Sequence, residues 1–235
     1  MLYLIGLGFE EKDLTLKAIE IAKNCDCYLE LYTSYWKGSI SDLERTIGKE
    51  IKQLKRKDLE EDSDKLIHEA RRKNIAIFVP GDPLAATTHI DLVLEAKKIG
   101  IPFRIIHNSS IFSAIGETGL QLYKFGKTTT VPFNEKLENV KDTIKANKKA
   151  GLHTLLLLDL DSEVNLYMTV SYAVKVLLKH KIIKNTDKLI AANISGEIVY
   201  DYAKNLIDAG IPTPSVLVIP GKLHLKEKEF LETFK

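Results

Sequence analysis

The feature that most constrains the fold is a repeated alternation of short apolar runs with longer segments of helical periodicity. Apolar runs at Leu2–Leu7, Cys27–Tyr32 and Ile75–Val79 indicate buried strands. The intervening segment Asp13–Ala22 spaces its apolar residues three or four apart, as an amphipathic helix does. Strands that alternate with helices along the whole chain predict an α/β fold with a largely parallel sheet.

The rest of the first half continues this alternation. Ser41 with Glu44 three residues later predicts a capping box that opens a short helix. The charged segment Lys57–Lys73 carries apolar residues at helical spacing, which predicts one solvated amphipathic helix. A strand is predicted at Phe103–Ile106, after a helix that ends near Gly100.

The second half has more strands per residue, so we expect its sheet to be mixed. Strands are predicted just after Gly126 and at Thr154–Leu160, Leu189–Asn193 and Ser215–Ile219. Helices are predicted at Glu135–Ala150, Thr169–His180 and Ile198–Ala209. A polar stretch at His107–Ser110 interrupts the alternation, and we place there the boundary between an N-terminal α/β domain, 1–107, and a C-terminal α/β domain, 108–235.

Charge and composition exclude several classes of protein. Lysines and arginines number 34 against 32 aspartates and glutamates, a formal net charge of +2, which argues against a broad nucleic-acid surface. The apolar start is too short for a signal peptide, and no run reaches the length of a membrane-spanning helix. We expect a soluble, cytoplasmic protein. Cys25 and Cys27 have the wrong spacing for a zinc site and predict reduced thiols, and no metal site is predicted.

Two glycine motifs resemble nucleotide-binding loops but fail the detailed comparison. Gly6-Leu7-Gly8 follows the first strand, yet Glu11 stands where a dinucleotide fingerprint needs its third glycine. Taken alone, this pair predicts a tight turn at a strand end. Gly126-Lys127-Thr128 lacks a glycine at the phosphate-loop spacing, which favours a turn that enters a strand.

The segment Pro80–His89 is the most informative loop, because it follows a buried strand where open α/β sheets bind ligands. Asp82 precedes Pro83 and is therefore held out of helical geometry, which predicts that its carboxylate is presented to a ligand. An ordinary turn in which Asp82 caps a helix remains the alternative. Of the histidines, those at junctions between elements are candidates for function, and those on charged helices are predicted surface residues. The candidates are His89, His107 and His224; the surface residues are His68 and His180.

Several motifs together resemble one superfamily. The segments Tyr3–Gly8, Gly81–Pro83 and Ser110-Ile111 are similar to those of the tetrapyrrole methylases. Five longer strings, in the same order along nearly the whole chain, resemble the diphthine synthases within that superfamily. These strings are Leu31–Ser34, Pro80–His89, Tyr123–Lys127, Gly151–Leu156 and Pro220–His224.

The resemblance implies a tetrapyrrole-methylase-like fold of two α/β domains, a cofactor cleft between them, and a homodimer. It implies S-adenosylmethionine as the cofactor and elongation factor 2 as the protein substrate, methylated on the amino group of an aminocarboxypropyl-modified histidine. Neither a membrane nor a nucleic acid is expected as a partner. The positions that the resemblance assigns to the cofactor are Phe9, Asp82, Ala85, Ser110, Ile111, Leu160 and His224.

No catalytic residue is assigned from the sequence. A sulfonium methyl group is already activated, so positioning and desolvation are the main tasks of the protein and a general base is not required. An aromatic face near a methylated ammonium is favourable, which makes Tyr32 and Tyr123 candidates.

One segment departs from the family pattern. Asn193–Glu197 is shorter than the corresponding family segment and lacks its arginine, which bears on the acceptor more than on the cofactor. Two alternatives stay open: a methyltransferase of the same fold that acts on a tetrapyrrole or on ribosomal RNA, and a non-catalytic protein that binds S-adenosylmethionine.

Overall fold

The structure, a computed structural model, describes residues 1–193 and 196–234. The chain forms two compact units. Unit 1 comprises residues 1–111 and 162–164, and unit 2 comprises the rest of the described chain. The predicted division into domains 1–107 and 108–235 stays a proposal.

Unit 1 is a parallel sheet with helical connections. Its strands are β1 (Leu2–Gly6), β2 (Asp26–Glu30), β3 (Ile51–Leu54), β4 (Ile75–Val79) and β5 (Phe103–Ile106). Its helices are α1 (Leu16–Ala22), α2 (Ile40–Ile47), α3 (Arg56–Glu60), α4 (Ser63–Glu69) and α5 (Ile90–Lys98), with a 3₁₀ turn at Glu11–Asp13. The strand order is β3-β2-β4-β1-β5, and all pairs are parallel.

Burial on both faces of this sheet explains the apolar runs in the sequence. Every residue of β4 is buried, and successive residues point to opposite faces. Ile75 and Ile77 pack into one hydrophobic cluster with Leu4, while Phe78 packs with Ile5 into the cluster on the other face. A strand covered on both sides has no polar face, so the prediction of a buried parallel sheet is confirmed.

Unit 2 contains a mixed sheet. Its strands are β6 (Thr129–Val131), β7 (Thr154–Leu158), β8 (Leu160–Asp161), β9 (Leu166–Tyr167), β10 (Lys188–Asn193), β11 (Ile198–Tyr202) and β12 (Ser215–Ile219). Helix α6 (Ile111–Ala114) leads into the unit, followed by α7 (Glu138–Ala150), α8 (Val170–Lys179), α9 (Ala203–Leu206) and α10 (Leu225–Leu231). The order of the five-stranded sheet is β11-β10-β12-β7-β6, in which only the pair β6–β7 is parallel. The predicted mixed sheet is confirmed.

The helix predicted at Ile198–Ala209 is wrong. The first five residues of that segment form strand β11, and only Ala203–Leu206 is helical. β11 pairs antiparallel with β10, with Tyr200 opposite Ile190. Isoleucine, valine and tyrosine favour a strand once a neighbouring strand offers its backbone, and this pairing outweighs a weak helical periodicity.

Two further details of the predicted helices are wrong. The segment Lys57–Lys73 is divided between α3 and α4, because the amides of Glu61 and Asp62 both bond the Lys57 carbonyl and close the first helix. Helix α2 is capped by Ser39, whose Oγ accepts the Asp42 N–H at 3.1 Å, and not by the predicted Ser41. Strand β3 and helix α10 were not predicted from the sequence.

None of the helices in the described residues is both long enough and apolar enough to cross a membrane. The two cysteines are free thiols, and both are buried rather than partly exposed.

Candidate functional site

The loops that follow β1 and β4 are paired at the carboxyl edge of the parallel sheet in unit 1. The Gly8 N–H donates to the Gly81 carbonyl at 3.1 Å, and the Gly81 N–H donates to the Gly8 carbonyl at 2.8 Å. A Cβ on Gly6 would lie 2.6 Å from the Gly81 oxygen. The Gly6-Leu7-Gly8 motif therefore does more than permit a turn, because it lets two ligand-facing loops approach each other.

Asn108 joins the loop after β5 to the loop after β1. Its side-chain amide donates to the Gly6 carbonyl at 3.0 Å and to the Asp13 carbonyl at 2.9 Å. Asp13 Oδ2 in turn accepts the Phe9 N–H at 2.8 Å and the Glu10 N–H at 3.1 Å. The backbone around Phe9 is thus fixed by a chain of hydrogen bonds that ends at Asn108.

Asp82 completes this network from the loop after β4. Oδ1 accepts the Leu84 N–H at 3.0 Å, while Oδ2 accepts the Asn108 N–H at 3.2 Å and lies 2.8 Å from His107 Nδ1. The Asp82 side chain is only 13% exposed. Both oxygens therefore hold neighbouring loops, as in the alternative of an ordinary turn, and a contact of this carboxylate with a ligand stays a prediction.

A second polar cluster lies in unit 1 at the ends of β2 and of the Pro80–His89 loop. Glu30 is fully buried, and its Oε2 accepts the backbone N–H groups of Tyr32 at 3.0 Å and Thr33 at 3.1 Å. Its Oε1 contacts the Thr33 hydroxyl and lies 3.7 Å from His89 Nε2. The strings Leu31–Ser34 and Pro80–His89 thus meet in one place.

Burial governs the charges of this pair. Desolvation raises the pKa of Glu30 to about 7, against opposing hydrogen bonds from Thr33 and Tyr32. Desolvation also lowers the pKa of His89 to about 4. Within the described part of the chain, the two ring nitrogens of His89 and the Tyr32 hydroxyl are buried without a hydrogen-bond partner of good geometry. Near neutral pH the imidazole is therefore uncharged.

The two tyrosines proposed to face a methylated ammonium differ in their surroundings. Tyr32 is buried, and the Arg56 guanidinium already lies 5.2 Å from its ring centroid. Tyr123 is 80% exposed. Since a second cation beside Arg56 would be repelled, Tyr123 is the better placed of the two.

In unit 2, Leu160 begins the short strand β8 beside a structural aspartate. Its N–H donates to Asp159 Oδ1 at 3.0 Å, and the other oxygen of Asp159 accepts the Phe133 N–H at 2.9 Å. Leu160 pairs with Tyr167 of β9. These contacts fix the backbone at the end of the buried run Thr154–Leu158.

His224 caps the N-terminus of α10 in unit 2. Its Nδ1 accepts the Lys226 N–H at 3.3 Å, and its own N–H donates to Glu227 Oε2 at 2.6 Å. Burial alone would raise the pKa of Glu227, but hydrogen bonds from His224, Lys124, Gln121 and His153 lower it to about 2. Glu227 is therefore a buried carboxylate that stays ionised.

His153 connects three of the strings that carry the family resemblance. Its Nδ1 accepts the Gly221 N–H at 2.9 Å, so Nε2 carries the proton that faces Glu227 Oε1 at 3.1 Å. Lys124 contacts Glu227 as well and donates to the Lys222 carbonyl at 2.7 Å. The strings Tyr123–Lys127, Gly151–Leu156 and Pro220–His224 thus form one buried network around Glu227.

Five of the seven residues assigned to the cofactor lie in unit 1, on the three loops just described. These are Phe9, Asp82, Ala85, Ser110 and Ile111; Leu160 and His224 lie in unit 2. In unit 1, a Cβ on Gly81 would stand 3.9 Å from the Ser110 Cβ, so the loops after β4 and β5 are in close approach. The segment that departs from the family pattern, Asn193–Glu197, includes Ile194 and Ser195, which lie outside the described residues.

Four residues important to these networks were not identified from the sequence, and one of them is Glu227. Asn108 lies in the polar stretch that was interpreted as a domain boundary, and Asp13 was counted as the start of a helix. Glu30 lies in an apolar run. Because acidic residues are rarely buried, its position at the end of a buried strand could have identified it from the sequence.

Comparison with known proteins identifies the family. The sequence model of the Tetrapyrrole (Corrin/Porphyrin) Methylases matches residues 1–197. The diphthine synthase of Methanocaldococcus jannaschii is 43% identical, with 99% of this chain and 98% of the relative covered. The chain belongs to the diphthine synthases. The diphthine synthase of Methanococcus vannielii is likewise 43% identical over 99% of this chain.

Solved structures of diphthine synthases share the fold. A crystal structure of diphthine synthase superposes with a TM-score of 0.93 at 37% identity, covering 100% of this chain and 96% of that one. A putative diphthine synthase from Entamoeba histolytica gives a TM-score of 0.89 at 34% identity, covering 100% and 98%. The predicted fold class and family are confirmed. The chain is accordingly a methyltransferase that uses S-adenosylmethionine, as predicted.

The residues at the sheet edge of unit 1 fit S-adenosylmethionine. The donor carries a ribose, an adenine and an amino acid, all of which need backbone polar groups beside small side chains. Ala85 is half-buried and carries a small side chain, and Gly81, whose own N–H and carbonyl pair with Gly8, carries none. Ala86 adopts φ 59°, a conformation that non-glycine residues adopt rarely.

Proposed function

We propose that the chain methylates the amino group of the aminocarboxypropyl-modified histidine of elongation factor 2, a step of diphthamide synthesis. The observation that carries this proposal is 43% identity to a diphthine synthase across 99% of the chain. The five strings that resemble the family also support it, because two of them lie against buried Glu30 and the other three share a hydrogen-bonded network around Glu227. Substrate groups are recognised by such ordered sites and not by the fold alone.

We further propose that the assigned residues bind S-adenosylmethionine: Phe9, Asp82, Ala85, Ser110 and Ile111 in unit 1 and, as a separate assignment from the family resemblance, Leu160 and His224 in unit 2. When bound, the cofactor supplies a methyl carbon on a positively charged sulfur. Phe9 and Ala85 contribute backbone whose position is fixed through Asp13 and Asp82. A backbone held in advance costs little further ordering when the ligand binds.

The proposal includes a homodimer in the cytoplasm. Neither feature enters the chemistry described for unit 1. Sedimentation velocity of the purified protein tests the oligomeric state: a mass of twice the chain supports the dimer, and a single-chain mass at micromolar concentration contradicts it.

The decisive experiment incubates the purified protein with S-adenosylmethionine and elongation factor 2 that carries the aminocarboxypropyl-histidine. Peptide mass spectrometry then locates and counts the added methyl groups. Methyl mass confined to the modified histidine supports the proposal. The matched control is the same factor with an unmodified histidine, which offers no aliphatic amine and should gain no mass.

Two other outcomes identify the alternatives. If the protein binds S-adenosylmethionine by calorimetry but leaves the factor unchanged and methylates a precorrin or ribosomal RNA, the acceptor in our proposal is wrong. If it binds the cofactor and methylates none of these acceptors, the chain is a non-catalytic binding protein.

A further inference from the structure

His107 combines an exposed ring with an orientation fixed by a carboxylate that is itself largely buried. It follows β5 directly, and its side chain is 67% exposed. Nδ1 lies 2.8 Å from Asp82 Oδ2, and Asp82 itself is only 13% exposed. A carboxylate can only accept a hydrogen bond, so Nδ1 carries the proton and the lone pair of the neutral ring resides on Nε2.

The geometry of this pair is held from several sides. Asp82 Oδ2 also accepts the Asn108 N–H at 3.2 Å, while Oδ1 is bonded by the Leu84 N–H. The Asn108 side chain then ties the same turn to the Gly6 and Asp13 carbonyls. A basic nitrogen oriented through a carboxylate at a sheet edge is the arrangement expected of a group that accepts a proton from a ligand.

The other histidines do not offer this combination. His89 and His153 are buried. His224 uses Nδ1 as an acceptor in the cap of α10, and His180 shares its carboxylate with a neighbouring lysine on α8. His68 lies exposed on α4, far in sequence from any residue assigned to the cofactor. His107 is three residues before Ser110, one of the assigned residues.

We propose that His107 is the proton acceptor for the acceptor amine, and that Asp82 is the positioning residue that orients it. This inference rests on the proposed function. Activation of the sulfonium methyl group makes a general base unnecessary only for an amine that is already neutral. A primary aliphatic amine is largely an ammonium ion near neutral pH and has no free electron pair until it loses a proton. In the proposed step an ammonium N–H bond breaks, its electron pair stays on the amine nitrogen, and the proton forms the Nε2–H bond of an imidazolium.

Protons and electron pairs balance over one methyl transfer. The imidazolium formed on His107 is stabilised by the Asp82 carboxylate, and its exposed edge releases the proton to water. The freed amine pair then forms a bond to the methyl carbon of the donor, whose carbon–sulfur bond breaks with its pair left on sulfur. The product is again an ammonium ion, so any further round needs one more proton transfer to His107.

The charged side chains near His107 come from neighbouring loops of unit 1. Within the described residues, the charged side chain in contact with its ring is Asp82 from the loop after β4. Asp13, from the loop after β1, belongs to the same hydrogen-bond network and is engaged by the Phe9 and Glu10 amides. We expect the methylation rate of the wild type to rise with pH as the acceptor ammonium ion loses its proton.

The test compares the wild type with His107→Gln and His107→Ala in single-turnover methylation of the modified factor across pH, with cofactor affinity measured by calorimetry. We expect His107→Gln to bind S-adenosylmethionine normally and to react about 10²- to 10⁴-fold more slowly near pH 7. This loss should shrink as pH rises and the amine loses its proton unaided. Added imidazole should restore the rate of His107→Ala. His68→Gln, exposed on α4, is the matched control and should match the wild type.

A second readout does not depend on turnover. Nitrogen-15 shifts of the His107 ring in the cofactor-free protein should show the tautomer with the proton on Nδ1, and Asp82→Asn should abolish that preference. The assignment is overturned if His107→Gln is as active as the wild type, if its loss is equal at every pH without imidazole rescue, or if the other tautomer is found. A wild type that leaves the factor unmethylated refutes the proposed function itself, which is a distinguishable result.

Discussion

Gly126 shows how a single missing side chain organises a turn in unit 2. A Cβ at this position would lie 2.2 Å from Asn147 Oδ1. That buried amide accepts the Lys127 N–H at 3.1 Å and donates to the Lys127 carbonyl at 2.8 Å and to Thr154 Oγ1 at 3.1 Å. The Gly126-Lys127 pair, which looks like part of a phosphate loop, is therefore explained by packing against α7.

Gly126→Ala should lower the free energy of unfolding by about 2–3 kcal/mol, because the methyl group displaces Asn147 and leaves buried polar groups unpaired. Urea denaturation measures this loss. Gly116→Ala is the matched control, since its nearest neighbour would be a Leu122 side-chain carbon at 3.6 Å. Equal stability of both variants would show that Asn147 can move aside without cost.

Glu30 and His89 place two oppositely shifted groups in one buried cluster. The folded-state pKa of Glu30 is raised from 4.5 to about 7, so its stabilising contribution is present below pH 4.5 and is lost as pH rises towards 7. The folded-state pKa of His89 is lowered from 6.5 to about 4, so its contribution is present above pH 6.5 and is lost as pH falls towards 4. Between pH 4.5 and 6.5 the two effects oppose each other.

In Glu30→Gln, the pH dependence of stability should reflect His89 without the opposing effect of Glu30. A glutamine can donate to the Thr33 hydroxyl as a protonated Glu30 would, so the variant should fold. Its free energy of unfolding should then rise by about 2–3 kcal/mol from pH 4 to 6.5, relative to a flatter wild-type profile. Urea denaturation at several pH values measures both, with exposed Glu61→Gln as control. A variant profile parallel to the wild type would contradict the assignment.

At the level of elements, the two serines at the start of α2, Ser39 and Ser41, have different roles, although the sequence makes them look nearly equivalent. Ser39 Oγ accepts the Asp42 N–H at 3.1 Å and donates to the Asp42 carboxylate at 2.7 Å. Within the part of the chain that the structure describes, the Ser41 hydroxyl lies 3.0 Å from the Ser39 hydroxyl and caps no backbone N–H. Glu44, the expected partner of Ser41, instead accepts the Ile51 N–H at 2.8 Å and so links α2 to β3.

Ser39→Ala should therefore destabilise the protein by about 1 kcal/mol, the usual cost of losing an N-cap. Ser41→Ala should cost clearly less, because it removes no capping bond. Thermal and urea denaturation of the two variants side by side measure the difference. A larger loss of stability for Ser41→Ala would instead support the capping box predicted from Ser41 and Glu44.

The elements that the sequence predicted well are those buried on both faces or bounded by strong local preferences. Ile75–Val79, Phe103–Ile106 and Ser215–Ile219 were placed with the observed bounds. The segment Ile198–Ala209 was wrong because its conformation is decided by pairing with β10, a partner that local periodicity does not reveal. The break between α3 and α4 was not predicted, because the apolar residues of Lys57–Lys73 keep helical spacing throughout the segment.

For the whole molecule, binding of the methyl donor should be visible as stabilisation. A ligand that binds only the folded state at 100 times its dissociation constant adds about 2.7 kcal/mol, which corresponds to a rise of about 5–10 °C in the unfolding midpoint for a chain of this size. Differential scanning fluorimetry with S-adenosylmethionine or S-adenosylhomocysteine measures it. ATP at equal concentration is the control, because it shares the adenosine but lacks the amino acid portion, and a matching shift would contradict specific binding.

The sequence by itself determined the α/β class, the parallel and mixed sheets, the family and the loops that carry the site. These follow from local patterns, because a strand buried on both faces requires a continuous apolar run and a ligand-binding loop requires glycines and prolines. Only the tertiary structure shows that the Asp82 carboxylate contacts His107 and Asn108. Likewise, only the tertiary structure shows that Glu227 lies at the centre of a network formed by three segments that are far apart in the sequence. A hydrogen bond between residues far apart in the chain has no characteristic sequence spacing, because the fold brings the partners within hydrogen-bonding distance of each other.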